Sequence, residues 1–329
     1  MAARYLELFR RGELNRRAHM LRCHMEFCML CPRRCRVDRF DGNQGFCRLS
    51  DSMMISHVLP HFGEEPPLSG TCGAGTIFFT SCNLRCIYCQ NYQISHDMAG
   101  RQIDVDDLSN IMIDLQERNC HNIEAVTPTP HVFRFVESLQ NACEKGLHLP
   151  LVYNCGGYEN PDILAILDGV VDIYLPDFKY GDGNVSLRYS GVRDYHHHAV
   201  QSLREMIRQV GDVLETDGDV ARRGIIIRHL ILPGEIHNSI SVLELIKEHV
   251  SLSVPISLMA QYSPVPPVAH HPLLGRTITE TEYETVVDRA VNMGFDHIFV
   301  QEVNDEHQLL PDFEKDQPFL WDDRRRNGR

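Results

Sequence analysis

The chain has 329 residues, 43% of them hydrophobic and 23% charged, enough for one large α/β domain with an accessory segment. No apolar run reaches the roughly 18 residues a membrane span needs. A formal net charge of −13 argues against a nucleic-acid backbone as partner, so neither membrane nor nucleic acid is expected.

The opening stretch, MAARYLELFRRGELNRR, is basic and amphipathic but lacks the apolar centre of a secretory signal. Combined with twelve cysteines, this predicts a cytoplasmic protein whose thiols are metal ligands rather than disulfides. Residues 1–74 read as a Cys-rich amino-terminal metal-binding segment and connector. Cys28, Cys31, Cys35 and Cys47 bring four thiols together, with Gly42 and Gly45 allowing a tight return. Such a set suits either a closed tetrahedral zinc site or a second iron–sulfur cluster. Cys23 falls outside the spacing. Arg33, Arg34, Arg36, Arg39 and Arg48 interleave with the cysteines, and either neutralise clustered thiolates or recruit an acidic partner. Residues 51–74, rich in Gly, Pro and His, read as a connector in which His57 and His61, ahead of Glu64-Glu65, approach the rim of the next domain without being ligands.

From Gly75 short apolar runs alternate with helical patterns, the signature of βα units and a parallel sheet. The strand candidates are TIFFT (76–80), IEAVT (123–127), LVYNC (151–155), VDIYLPDF (171–178), GIIIRHLIL (224–232), PISLMAQY (255–262) and HIFVQ (297–301). Between them, Leu108, Ile111, Met112 and Leu115 keep helical spacing, as do Val200, Leu203, Met206, Ile207 and Val210. Further helices are predicted over 133–143, 243–250 and 277–293. The expected fold over 75–303 is α/β, a partial (β/α)6-type TIM barrel with a Cys-rich amino-terminal extension, its chemistry on the loops after the strands. His196 to His198 read as a solvated loop, because consecutive residues of a helix cannot converge on one ion. Residues 304–329 form a charged tail in which Phe319, Leu320 and Trp321 are candidates for an apolar strap.

Directly after the first of these strands comes Cys82-Asn-Leu-Arg-Cys86-Ile-Tyr-Cys89. Three thiolates on one tight loop hold three irons of a cubane and leave the fourth iron open, where four cysteines would close it. An open position is the mark of a catalytic rather than a structural metal site. A fourth ligand from Cys72 or Cys155 would reverse that reading. The loop resembles that of the radical S-adenosylmethionine (SAM) superfamily. The longer string HFGEEPPLSGTCGAGTIFFTSCNLRCIYCQNYQIS resembles the pyruvate formate-lyase activating enzyme-like branch, in particular its uncharacterised iron–sulfur members. The likeness runs from about Cys28 to Phe313.

The resemblance implies a [4Fe–4S] cluster on Cys82, Cys86 and Cys89, with SAM chelated at the open iron. Tyr88 lies beside the last ligand and is a candidate cofactor contact. After the second strand Thr127 and Thr129 stand where many relatives carry Gly-Gly-Glu, and are candidates for the SAM ammonium. Asn154 precedes Gly156 and Gly157, whose backbone can approach a ligand closely. Asp177-Phe-Lys179 is similar to the Asp-Leu-Lys motif of glycyl-radical activating enzymes, which implies a lysine on the SAM carboxylate. Arg228 and His229 are adjacent on a strand, so only one of them faces the interior. Gln261, Tyr262 and Gln301 read as polar residues at the core edge.

The expected activity is reductive cleavage of SAM to a 5′-deoxyadenosyl radical that abstracts hydrogen from a substrate. Flavodoxin or ferredoxin would be the reductant and the enzyme an oxidoreductase of the activating type. The branch resemblance implies a protein substrate such as a glycyl radical enzyme; another peptide or a small molecule is the alternative. From a different class, the chain would be a non-catalytic iron–sulfur or zinc carrier or interaction module.

Overall fold

The computed structural model describes residues 2–303 and 310–319. Its strands are β1 (Met53–His61), β2 (Ala74–Phe79), β3 (Arg101–Ile103), β4 (Ile123–Val126), β5 (Leu151–Cys155), β6 (Ile173–Pro176), β7 (Glu215–Asp217), β8 (Val220–Ile225), β9 (Ile227–Leu230), β10 (Ile256–Met259) and β11 (Ile298–Val300). β2, β4, β5, β6 and β8 pair side by side, all parallel. β9, β10 and β11 continue in the same sense. β8 and β9 are halves of one run interrupted at Ile226, and a bridge from Asp177 to Arg228 joins β6 to β9. The fold is therefore a parallel-rich α/β sheet. With β8 and β9 taken as one, seven parallel strands succeed each other, one for each of the seven strand candidates and one more than a (β/α)6 count.

Every residue of β2, β4 and β6 is buried. Strands covered on both faces read as unbroken apolar runs, which is why the sequence announced them. Helices follow the strands, among them Val105–Glu117, Val132–Glu144, Tyr195–Val210 and Ile236–His249. The first of these is fixed at its start by a capping box between Asp104 and Asp107, which satisfies two otherwise unpaired N–H groups.

Two elements depart from the sequence reading. Within the expected connector, β1 lies antiparallel on β2, with Ile55 opposite Phe79 and His61 opposite Ala74. Its residues, MMISHVLPH, mix buried with half-buried positions, so no apolar run marks it. His196 to His198 lie in the first turn of helix Tyr195–Val210 rather than in a loop. The ring of His198 packs on Tyr158 at 5.3 Å and its Nε2 stands 3.3 Å from Asp194.

The amino-terminal segment is docked rather than separate. Tyr5 donates to the Leu149 carbonyl and Arg4 bonds Val171 and Asp168. Fully buried Arg39 donates to the carbonyls of Ser50 and Pro130. At the other end, Phe313 and Phe319 close on Phe78, with ring centroids 5.2 and 5.7 Å away. Leu320 and Trp321, the other members of the expected strap, lie outside the described residues.

Candidate active site

The loop after β2 turns sharply, with Ser81 and Arg85 in left-handed backbone at φ 84° and 53°. Such positions are costly for non-glycine residues and concentrate at functional sites. Each cysteine sulfur accepts a hydrogen bond: Cys82 from the Leu84 N–H at 3.3 Å, Cys86 from the Ser190 hydroxyl at 3.0 Å, Cys89 from the Ser95 hydroxyl at 3.3 Å. Donors aimed at sulfur suit thiolate ligands. Burial pushes the Cys82 thiol up to about 12, with Cys89 and Cys86 adding to it; binding iron would replace that held proton. Among the described residues no three His, Cys, Asp or Glu side chains are grouped to hold a single ion. A cubane asks for something else, one thiol on each of three irons. The donor set fits that group.

The three cysteines line a cavity of about 340 Å³ at the C-terminal ends of the parallel strands. Cys155 also lines it, buried at the end of β5, and burial pushes its thiol well up. Cys72 lies elsewhere, beside Thr71 and His121. Cys72 is therefore no fourth ligand of the loop.

Asp177 and Lys179 face this cavity as an ion pair. Burial alone would lower the lysine, yet Asp177 and the neighbouring Cys86 hold it above its ordinary value. Tyr195 supports the pair from behind. Its hydroxyl accepts from the Lys179 N–H at 2.9 Å and reaches the Gly156 and Asp177 carbonyls at 2.8 and 2.9 Å. Gly157, at φ 74°, passes so close that a Cβ would sit 2.1 Å from the Asp177 carbonyl oxygen. Thr127, itself at φ 58°, and Asn154 both line the cavity. Tyr88 lines it too, its buried ring 6.0 to 6.3 Å from those of Tyr189, Tyr262 and Tyr180.

Opposite the cysteines, Arg228 reaches Glu64 and Glu65 from the strand-rich wall. Burial would raise Glu65, but the guanidinium more than offsets it and holds that carboxyl below its ordinary value. Behind them Glu124 accepts from Asn154 at 2.7 Å and Thr76 at 3.1 Å. Burial, reinforced by Glu64, pushes its pKa well up.

Two expected cofactor contacts point elsewhere. Thr129 is turned away from the cavity and donates to both oxygens of Glu159 at 2.9 Å. His229 is buried between the Phe178 carbonyl and the Ser239 hydroxyl, and burial brings it down to about 4. Strand alternation decides between the neighbours: Arg228 faces inward and His229 does not. Sequence reasoning missed Glu124, Glu159 and Tyr195. Glu124 alone left a signal, an acid inside the apolar run IEAV.

Cys28, Cys31, Cys35 and Cys47 gather around a second, small cavity of about 20 Å³, shared with Asn83 of the first loop and with Thr129. The Phe46 N–H donates to the Cys35 sulfur at 3.2 Å. At Gly45 a Cβ would stand 3.1 Å from that sulfur and 3.9 Å from Cys47, so a side chain here would crowd the Cys35 thiol.

Residues 76–246 match the Radical SAM superfamily. An uncharacterized protein of Methanocaldococcus jannaschii, MJ0674, is 28% identical over 281 residues, spanning 83% of this chain and 76% of that one. Among solved structures, SuiB of Streptococcus suis bound to S-adenosylmethionine aligns with a TM-score of 0.46 at 12% identity over 68% of this chain. SuiB bound to its precursor peptide SuiA aligns equally, at 11% identity. The chain spans about half the length of SuiB, 48% and 47% in the two cases. No helix among the described residues is long and apolar enough to cross a membrane.

Proposed function

The chain belongs to the radical SAM superfamily, whose members combine a [4Fe–4S] cluster with SAM, and from that premise we propose that Cys82, Cys86 and Cys89 hold the catalytic cluster on a partial (β/α)6-type barrel. One observation carries the proposal: the three thiols share a single cavity with the Asp177–Lys179 pair. A cluster and SAM held there would supply reductive cleavage of SAM and, through it, hydrogen abstraction from a substrate.

The chain's own residues bind and orient. Lys179 offers a buried cation to the SAM carboxylate, held in place by Asp177 and, through its backbone, by Tyr195. Asn154, Thr127 and Tyr88 line the remaining wall, and Arg228 with its two carboxylates closes the far side. Thr129 and His229 act as positioning residues, through Glu159 and Ser239 respectively. A flavodoxin or ferredoxin supplies the electron. The substrate is a protein, in the manner of glycyl radical enzyme activation, with another peptide or a small molecule as the second reading. Cys28, Cys31, Cys35 and Cys47 hold a second centre, zinc or iron–sulfur. A carrier or interaction module would need a closed first site, with Cys155, which lines the same cavity, as the fourth ligand.

The test is anaerobic reconstitution with iron and sulfide, reduction with dithionite, and quantification of 5′-deoxyadenosine. Product from the native chain that vanishes in Cys86→Ala is expected. A reducible cluster that yields none would demote the protein to a carrier.

A further inference from the structure

One edge of the sheet is built unlike the others. β3 and β7 end the larger sheet, and β11 ends the run β11–β10–β9, whose other end is tied to β6 by the Asp177–Arg228 bridge. β3 reads RQI and β7 reads ETD. Charge on an edge strand discourages pairing with another chain. β11 reads IFV, without charge or proline, and its Val300 is 58% exposed. Among the described residues nothing pairs with its outer side.

The direction of its backbone groups follows from the bonds it makes. Ile256 donates its N–H to the His297 carbonyl at 2.9 Å, so His297 turns toward β10. Hydrogen-bonding groups of a strand alternate sides from one residue to the next. Phe299 therefore also turns to β10. The Gln301 N–H, next in the series, reaches that strand through Tyr283, whose hydroxyl bonds it at 2.7 Å and the Leu258 carbonyl at 2.8 Å. Ile298 and Val300 are left with N–H and C=O pointing outward.

The third observation is where this edge lies. Phe299, Val300 and Gln301 line the cavity that holds the loop cysteines and the Asp177–Lys179 pair, so the edge is also the cavity's rim. The carboxy-terminal strap is engaged elsewhere: Asp312 and Phe313 bond Gln93, and the Lys315 carbonyl bonds His57.

We propose that β11 receives an extended segment of a peptide or protein substrate as an added strand, which carries the reacting residue over the rim into the cavity. The inference rests on the cluster and SAM reading above and narrows its substrate to a polypeptide. Outward N–H and C=O groups at strand spacing are matched by another backbone; main-chain bonds then give affinity, and the cavity that takes one side chain gives selectivity. A second copy of this chain paired at the same edge would stand at that rim and obstruct it.

Val300→Pro is the informative variant. The Val300 N–H faces away from β10, so proline deletes the outward donor and leaves the existing ladder intact, the orientation in which edge strands tolerate it. Val300→Thr keeps the N–H and the β-branched shape. The reconstituted full chain with SAM is dialysed against a pool of capped hexapeptides randomised at every position, and against the same pool N-methylated at every residue. Retained peptide is quantified by mass spectrometry. The native chain and Val300→Thr should retain the plain pool over the methylated one by about tenfold or more, the worth of one or two main-chain hydrogen bonds. In Val300→Pro that ratio should fall toward one, with the urea midpoint of the native chain. Equal retention of both pools by the native chain overturns the proposal whatever the variants do, and so does an unchanged ratio in Val300→Pro. A native dimer that Val300→Pro turns into a monomer, read by sedimentation, overturns it in favour of a second copy. The cluster reading is judged separately, by whether the native chain makes 5′-deoxyadenosine from SAM and dithionite without any peptide.

Discussion

Replacing Arg228 with methionine removes one buried cation and leaves two carboxylates facing each other without it. The side chains of Arg228, Glu64 and Glu65 are 12%, 7% and 6% exposed, so water screens them little. Taking one partner from a buried ion pair costs about 3–5 kcal/mol, and that is the loss expected in urea unfolding at pH 7. The sign with pH follows from the direction of the shifts. In the native chain Glu65 sits below its ordinary value because Arg228 outweighs burial; it contributes stability above the unfolded pKa of roughly 4.3, lost as pH falls through the lower folded value. In Arg228→Met burial is unopposed, the folded pKa moves above the unfolded one, and stability is lost as pH rises. The gap between variant and native chain should be widest at pH 7 and narrow toward pH 4.5. A gap below about 1 kcal/mol at pH 7, the range of an exposed pair, or one of equal size at both pH values, would refute the reasoning.

Glu159 gives a second pH signature. Burial pushes it up to about 8 against the bond from Thr129, so the unfolded chain ionises first and stability falls as pH rises between roughly 4.5 and 8, by about 1.4 kcal/mol per unit at most. Glu159→Gln should flatten that stretch of the urea-midpoint profile, and an unchanged profile would exclude the assignment. Gly157→Ala places a methyl 2.1 Å from the Asp177 carbonyl at φ 74°; backbone handedness alone costs about 1–2 kcal/mol. Equilibrium dialysis of the reconstituted protein should show weaker SAM binding together with a lower urea midpoint, and retention of both would show that this contact does not position the Asp177–Lys179 pair.

The parallel strands were legible because burial on both faces leaves an apolar run, and the three loop cysteines because their spacing is local. β1 was not, since its polar half-buried residues are specified by the partner strand it lies against rather than by its own pattern. The site divides in the same way. Asp177 and Lys179 are two residues apart and announced themselves. Glu65 and Arg228 are 163 apart, and Tyr195 reaches Lys179 from a helix 16 residues on. Thr129 donates to Glu159, a residue without any sequence signal of its own, so that partnership is invisible to spacing. The cysteine motif reads from spacing, while the charge balance around it reads only from three-dimensional proximity.

The antiparallel seam between β1 and β2 makes the first 74 residues an integral wall of the molecule. A chain trimmed to start at Gly75 would strip β2 of its neighbour and leave a wholly apolar strand as a naked edge, an invitation to pair with another copy. Insolubility of such a truncation would then report a broken sheet, and would carry no information about whether the amino-terminal cysteines bind a metal.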